Sequence, residues 1–160
     1  MESVTIASFT ARFDAAFAAG DPQAGAKSHE LSRVNAVRQL FETLGRGDMA
    51  AFLHHLHPDV ELEIAAPAEF PWRRTARGLD ELRSAVEYNF GVVQDQDPRL
   101  VSITAQGEVV VVVGRECGRI RYSGAHYHVY FTYQFTFLDD KVHRIMEIAA
   151  ATPDACADYA

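Results

Sequence analysis

The stretch from His126 to Leu138 alternates regularly enough that, read as a strand, it sorts its side chains onto two faces. One face carries Tyr127, Val129, Phe131, Tyr133, Phe135 and Phe137; the other carries His126, His128, Tyr130, Thr132, Gln134 and Thr136. The aromatic face needs a cover. Such a stripe is core material, yet two of its members are phenols, and a buried phenol O–H requires a partner, supplied either by the fold or by a ligand in a cavity. A second signal lies in Val142-His143-Arg144-Ile145-Met146-Glu147-Ile148-Ala149, where Ile145, Glu147 and Ala149 share a face. If that face is the inner one, desolvation raises the pKa of Glu147 and makes it a candidate general acid or base. Paired with an arginine, it would instead be structural. Glu116, beside Arg115 and after five consecutive valines, invites the same two readings.

Other chemistry is less specific. His54, His55 and His57 crowd a helix end, and His126-x-His128 sets two imidazoles on one strand face, a spacing able to hold a divalent metal. A third ligand is not evident, so a polar sheet face or a subunit contact is the favoured reading and no metal is expected. Ser and Cys nucleophile signatures, Gly-rich phosphate loops and zinc-protease motifs are absent from the sequence, and no cofactor is expected. Trp72, with Pro71 before it and Arg73-Arg74 after it, sits in a long loop as either a lid over a pocket or a staple to the core.

These residues need a scaffold. Phe9, Phe13 and Phe17 mark a short helix ended by Gly20-Asp21-Pro22, and residues 20 to 28 read as a linker. Leu31, Val34, Val37, Leu40, Phe41 and Leu44 form one apolar helical face. Asp48 caps a short helix with Met49, Phe52, Leu53 and Leu56, closed by Pro58. Val60, Leu62 and Ile64 alternate with Glu61 and Glu63 as a strand, and Ala65 to Gly78 reads as a loop. Leu79, Leu82, Val86 and Phe90 give another helix. Strands are expected at 99 to 105, 108 to 122, 126 to 138 and 141 to 150, joined by turns at Gln106-Gly107, Ser123-Gly124 and Asp139-Asp140. Short turns demand antiparallel neighbours. Helices first and a curled antiparallel sheet afterwards predict an α+β domain with the helices on one sheet face.

Composition sets outer bounds. The 160 residues, 48% of them hydrophobic, suffice for one domain with a core, and the formal charge of −7 offers no basic field for nucleic acid or an anionic membrane. Cys117 and Cys156 form no disulfide framework, and a reducing cytoplasm is expected. The start Met1-Glu2-Ser3-Val4 resembles no export signal, and the longest purely apolar run, Val109 to Val113, is too short to span a membrane.

The order of these pieces resembles the nuclear transport factor 2-like superfamily, in its SnoaL-like and ketosteroid-isomerase-like branch. The resemblance covers about residues 32 to 150. It rests on the helix ending in Gly47-Asp48, the His57-Pro58-Asp59-Val60 entry to a strand, Arg77-Gly78-Leu79-Asp80-Glu81-Leu82 opening a helix, and the closing run FTFLDDKVHRIMEI. Glu116, Gly124, Tyr127, Phe135, Phe137, Asp139, Lys141, Val142 and Glu147 follow the pattern of one subgroup, with Phe131 in place of its second Tyr. Val129, Asp140 and Ala150 depart from it, standing where the pattern has Asn, the turn Gly and Asp. The resemblance implies a cystatin-like cone-shaped barrel of bent antiparallel sheet around N-terminal helices, with an apolar pocket and usually a homodimer. It divides the chain into a helical extension and linker (1–28), the SnoaL-like domain (29–152) and a tail (153–160).

The family's chemistries can be laid on this sequence. Ketosteroid isomerases use an aspartate base with a tyrosine and a protonated aspartate; counted from Gly47-Asp48, those positions fall on Ile64, Leu40 and Tyr133. Steroid isomerisation is therefore not expected. Limonene-epoxide-hydrolase-like enzymes need Arg-x-Asp, and Arg115-x-Cys117 keeps only the arginine. SnoaL-like cyclases ask less, because a carbon between two carbonyls yields its proton to a modest base. The implied function is cofactor-free acid/base catalysis on an apolar, carbonyl-bearing small molecule. In it Glu147 is the base and Tyr133 the oxyanion donor, while Trp72, Glu116, Tyr127, Phe131 and Ile64 shape the site. The rival is a non-catalytic ligand-binding or dimerisation module on the same fold. The polar face of His126, His128, Tyr130, Thr132 and Gln134 is the expected dimer contact.

Overall fold

The computed structural model describes residues 28–152. The helix expected around Phe9, Phe13 and Phe17, its linker and the tail from 153 lie outside the described residues. Within them the order is α1 (Ser28–Gly45), α2 (Met49–His54), β1 (Leu56–Ala65), β2 (Thr75–Arg77), α3 (Gly78–Gly91), β3 (Val93–Gln106), β4 (Val109–Ile120), β5 (His126–Leu138) and β6 (Lys141–Ala151).

The six strands form one sheet in the order β2-β1-β6-β5-β4-β3. Tight turns make β3/β4, β4/β5 and β5/β6 antiparallel, whereas β1 runs parallel to β6, Ile64 opposite Glu147. The α+β architecture expected, a bent sheet with helices against it, is the one observed; the sheet is mixed, curved and unclosed, with β1/β6 a parallel pair in it. Patterns of adjacent strands reveal hairpins, but this pair joins the two ends of the domain. Register shifts interrupt β1/β6, β3/β4 and β5/β6, and such irregularities bend a sheet.

The helices lie over the concave face. Val37, Leu40 and Phe41 of α1, Phe52 of α2 and Leu82 of α3 are buried with Val110, Val112, Phe131, Phe135 and Ile145 of the sheet in one core. Asp48 caps α2 as expected, accepting from the Ala51 N–H at 3.0 Å. Leu31, placed on the apolar face by its spacing, is instead exposed. The first turn of α1 uses polar contacts: Glu30 accepts from the Gly107 N–H at 2.9 Å, and Arg33 donates to its carbonyl at 2.6 Å.

Several boundaries moved: β3 opens at Val93 rather than 99, and β4 spans Val109–Ile120 rather than 108 to 122. Leu56, expected on α2, opens β1 and is fully buried there. The loop 65–78 contains β2, three residues paired with β1 and too short to show a period. Among the described residues no helix is long and apolar enough to cross a membrane, and no cysteine is free. Cys117 is disulfide-bonded, which corrects the expectation of unpaired thiols; its partner lies outside the described residues.

Candidate functional site

Between the helices and the sheet lies a cavity of about 100 Å³ with mostly apolar walls. Alternation along β4, β5 and β6 decides which sheet residues reach it. One row across the strands holds Ile64 (β1), Glu147 (β6), Tyr133 (β5) and Val112 (β4). The next holds Ala149, Phe131 and Gly114, and the one beyond it Ala151, Val129 and Glu116. Ile64, Trp72, Glu116, Phe131, Tyr133 and Glu147 all line the cavity.

Tyr133 is held by aromatic rings. Phe41 and Phe131 meet it edge-on at centroid distances of 5.7 Å and 5.4 Å, and Phe135 stacks at 5.8 Å. Glu147 stands directly opposite Tyr133 on β6, and the hydroxyl interacts with that carboxyl. Desolvation pushes the Glu147 carboxyl up to about 8, the nearby Glu116 charge adds to this, and the Tyr133 hydrogen bond opposes it. Tyr133 is raised by burial and by both carboxylates. Glu147 and Tyr133 keep partial accessibility, as residues on a cavity wall do.

Glu116 forms the second polar cluster. Its Oε1 accepts from the Tyr127 hydroxyl and from Gln96 Nε2 at 3.2 Å. Burial raises its pKa and those two hydrogen bonds lower it. Two glycines make the arrangement possible. A Cβ at Gly118 would lie 2.6 Å from the Tyr127 hydroxyl, and one at Gly114 would lie 2.5 Å from Phe131 Cζ. The rings of Tyr127 and Phe131 therefore lie across β4 on either side of Glu116. Tyr127, expected against the ligand, does not line the cavity; its hydroxyl is occupied by Glu116, and its ring meets Phe70 and Trp72 edge-on at 5.4 Å and 6.2 Å.

Gln96 was not anticipated. Strand β3 bulges between Gln94 and Asp97, and Asp95 takes φ 55° with its carboxylate held by Arg119 Nε at 2.7 Å. The bulge sets Gln96 beside Glu116 on the cavity wall. The run Asp95-Gln96-Asp97-Pro98 shows no alternation, so only its Pro hinted at an irregular edge.

Trp72 acts as a wall fixed from both sides. It stacks on Phe70 at 4.7 Å, and its loop is tied by Arg74, which donates to the carbonyls of Ala66 at 2.6 Å and Pro67 at 2.9 Å. Asn89 of α3 accepts from the Arg73 N–H at 2.7 Å and donates to its carbonyl at 3.0 Å. On the outer face, His128 Nδ1 lies 3.0 Å from Thr152 Oγ1. Among the described residues no group of three His, Cys, Asp or Glu is arranged to hold a metal.

Comparison with known proteins agrees with this geometry. The family model of the SnoaL-like domain matches residues 37–145. A crystal structure of an NTF2-like protein from Burkholderia xenovorans LB400 is similar at 29% identity, covering 79% of this chain and 93% of that one, with TM-score 0.66. A protein described as a SnoaL-like polyketide cyclase, from Jannaschia sp. CCS1, shares 18% identity over 86% and 95% of the two chains, with TM-score 0.65. An LEH-like epoxide hydrolase of M. tuberculosis shares 15% identity over 76% and 85%, with TM-score 0.59. The last two are alike in fold alone. No curated protein matches the sequence.

Proposed function

This chain belongs to the SnoaL-like domain family, and from that membership we propose a cofactor-free enzyme that moves protons on an apolar, carbonyl-bearing small molecule, in a cyclisation or isomerisation. The observation that carries the reading is the Glu147–Tyr133 pair on the wall of an apolar cavity, its carboxyl at about 8. A carboxyl titrating near neutrality both gives and takes a proton at working pH. The Tyr133 O–H stabilises charge developing on a carbonyl oxygen, and the dry surroundings strengthen that interaction. Trp72, Phe131 and Ile64 provide apolar contact, while Tyr127 serves through Glu116. Deuterium exchange into a panel of ketones tests the reading. Glu147→Gln is expected to slow exchange by roughly 100-fold or more, and equal exchange in both proteins overturns it.

A second reading, a non-catalytic binder of small ligands, draws support from Ile64. It lines the cavity at the position where the ketosteroid isomerase pattern has its base. Ligand binding with no proton exchange would establish it. In either case we propose a homodimer through the outer sheet face, where Tyr130 and Ile148 are 45% and 51% exposed. An unchanged elution volume on size exclusion for Ile148→Asp with Tyr130→Asp removes that contact. A cytoplasmic setting belongs to the same proposal, and the Cys117 disulfide weighs against it.

A further inference from the structure

We propose that Glu116 is a second catalytic group, the base to Glu147's acid, and that the two act on opposite ends of a flat conjugated carbonyl compound lying on Phe131. The inference rests on the proton-transfer reading above and divides its labour. Glu116 and Glu147 line one cavity from β4 and β6, two register rows apart. The row between them is Gly114, Phe131 and Ala149, so only Phe131 has bulk there, and its ring covers Gly114. A planar ligand resting on that ring has a carboxyl on either side. Each carboxyl also has its own phenol, Tyr127 for Glu116 and Tyr133 for Glu147.

The surroundings decide which carboxyl keeps the proton. Glu116 has two donors, Tyr127 and Gln96, against the desolvation and the Asp97 charge that oppose its ionisation. Glu147 has one donor, Tyr133, and faces the charge of Glu116. The helix and β1 walls beside them, Leu40, Phe41, Leu62 and Ile64, are apolar. Two carboxyls in one dry cavity resist double ionisation, so the one with more hydrogen-bond donors, Glu116, ionises first. Glu116 then takes a proton from the carbon beside the carbonyl. The C–H electron pair becomes the enol double bond as the carbonyl π electrons move to oxygen, where Tyr133 hydrogen-bonds and Glu147 delivers its proton. The enol forms with Glu116 protonated and Glu147 ionised; reversal returns a proton to the same carbon or to a conjugated one. Nothing is oxidised or reduced.

The test follows exchange of 1-indanone in deuterated buffer, against its ring-saturated analogue, for the full chain, Glu116→Gln, Glu147→Gln and Tyr127→Phe. Glutamine still accepts from Tyr127, and near-ultraviolet circular dichroism checks that each variant is folded. Both glutamine variants are expected to lose roughly 100-fold or more. The wild-type rate should fall above about pH 8 as Glu147 loses its proton. Tyr127→Phe should move the acid limb upward, because Glu116 loses a donor to its charged form, a displacement that a merely structural role would not produce. No exchange by the wild type defeats the proton-transfer reading itself. Exchange lost in Glu147→Gln but kept in Glu116→Gln, or a rate that climbs through pH 8, overturns the division while leaving that reading in place. Equal rates on the saturated analogue overturn the flat ligand.

Discussion

Tyr127 reaches Glu116 across the sheet only because Gly118 stands beneath its ring: the phenol O–H donates to Oε1, and a Cβ on Gly118 would lie 2.6 Å from that hydroxyl oxygen. Gly118→Ala should therefore displace the phenol and destabilise the protein by about 1–3 kcal/mol. Tyr127→Phe removes the same donor and leaves a buried carboxyl short of a partner, at a similar cost. Urea unfolding of both variants and of the double variant measures the coupling. Additive losses would show that the glycine serves something other than this contact.

Stability should depend on pH in an unusual direction. Glu116 and Glu147 are both raised above their ordinary value of 4.5, Glu147 to about 8. Between those two pH values the unfolded chain releases protons that the folded chain retains, so stability falls as pH rises and levels off above about 8. Each unit of displacement corresponds to about 1.4 kcal/mol. Glu147→Gln should flatten most of this slope, gaining on the wild type at pH 9 and not at pH 4. Thermal unfolding across that range provides the check.

Arg74 secures the Trp72 wall by donating to carbonyls of its own loop. Arg74→Met keeps the aliphatic stem and removes these bonds. Trp72 emission should shift to longer wavelength and quench more readily with acrylamide, while the thermal midpoint moves little, because Trp72 packs at the margin of the main core and not within it.

The turn between β5 and β6 offers a stabilising change. Asp139 and Asp140 both adopt left-handed backbone, with φ 50° and 62°. This two-residue hairpin geometry favours glycine at its second position. Asp140→Gly should add about 1 kcal/mol and raise the midpoint by a few degrees. A lower midpoint would mean that the Asp140 side chain contributes more than its backbone strain costs.

Where burial follows a simple period, the fold was legible. Strand β5 spans His126–Leu138 as its alternation required, and the same rule set Tyr133 and Glu147 toward the interior. Failures fall where a local irregularity or a distant partner decides. Gln96 was hidden because a bulge at Asp95 changes the face its neighbours present. Tyr127 shares a stripe with Tyr133, but alternation fixes a face and not a depth, so its engagement with Glu116 rather than the cavity could not be read. The glycines of Gly114-Arg115-Glu116-Cys117-Gly118 were the available clue, since two small residues flanking a carboxylate on one face leave room for rings from the next strand. The parallel β1/β6 pair left no local trace.

That pairing governs how the protein is made. A nascent chain emerging from the ribosome cannot complete its sheet until the closing strand follows, because β1 waits for β6 across almost the whole domain. Glu147 arrives on that same strand. Within this domain the acidic group in the hollow thus arrives after the other five strands, and a polypeptide interrupted before residue 141 would carry an open sheet edge and an unfinished chemistry together.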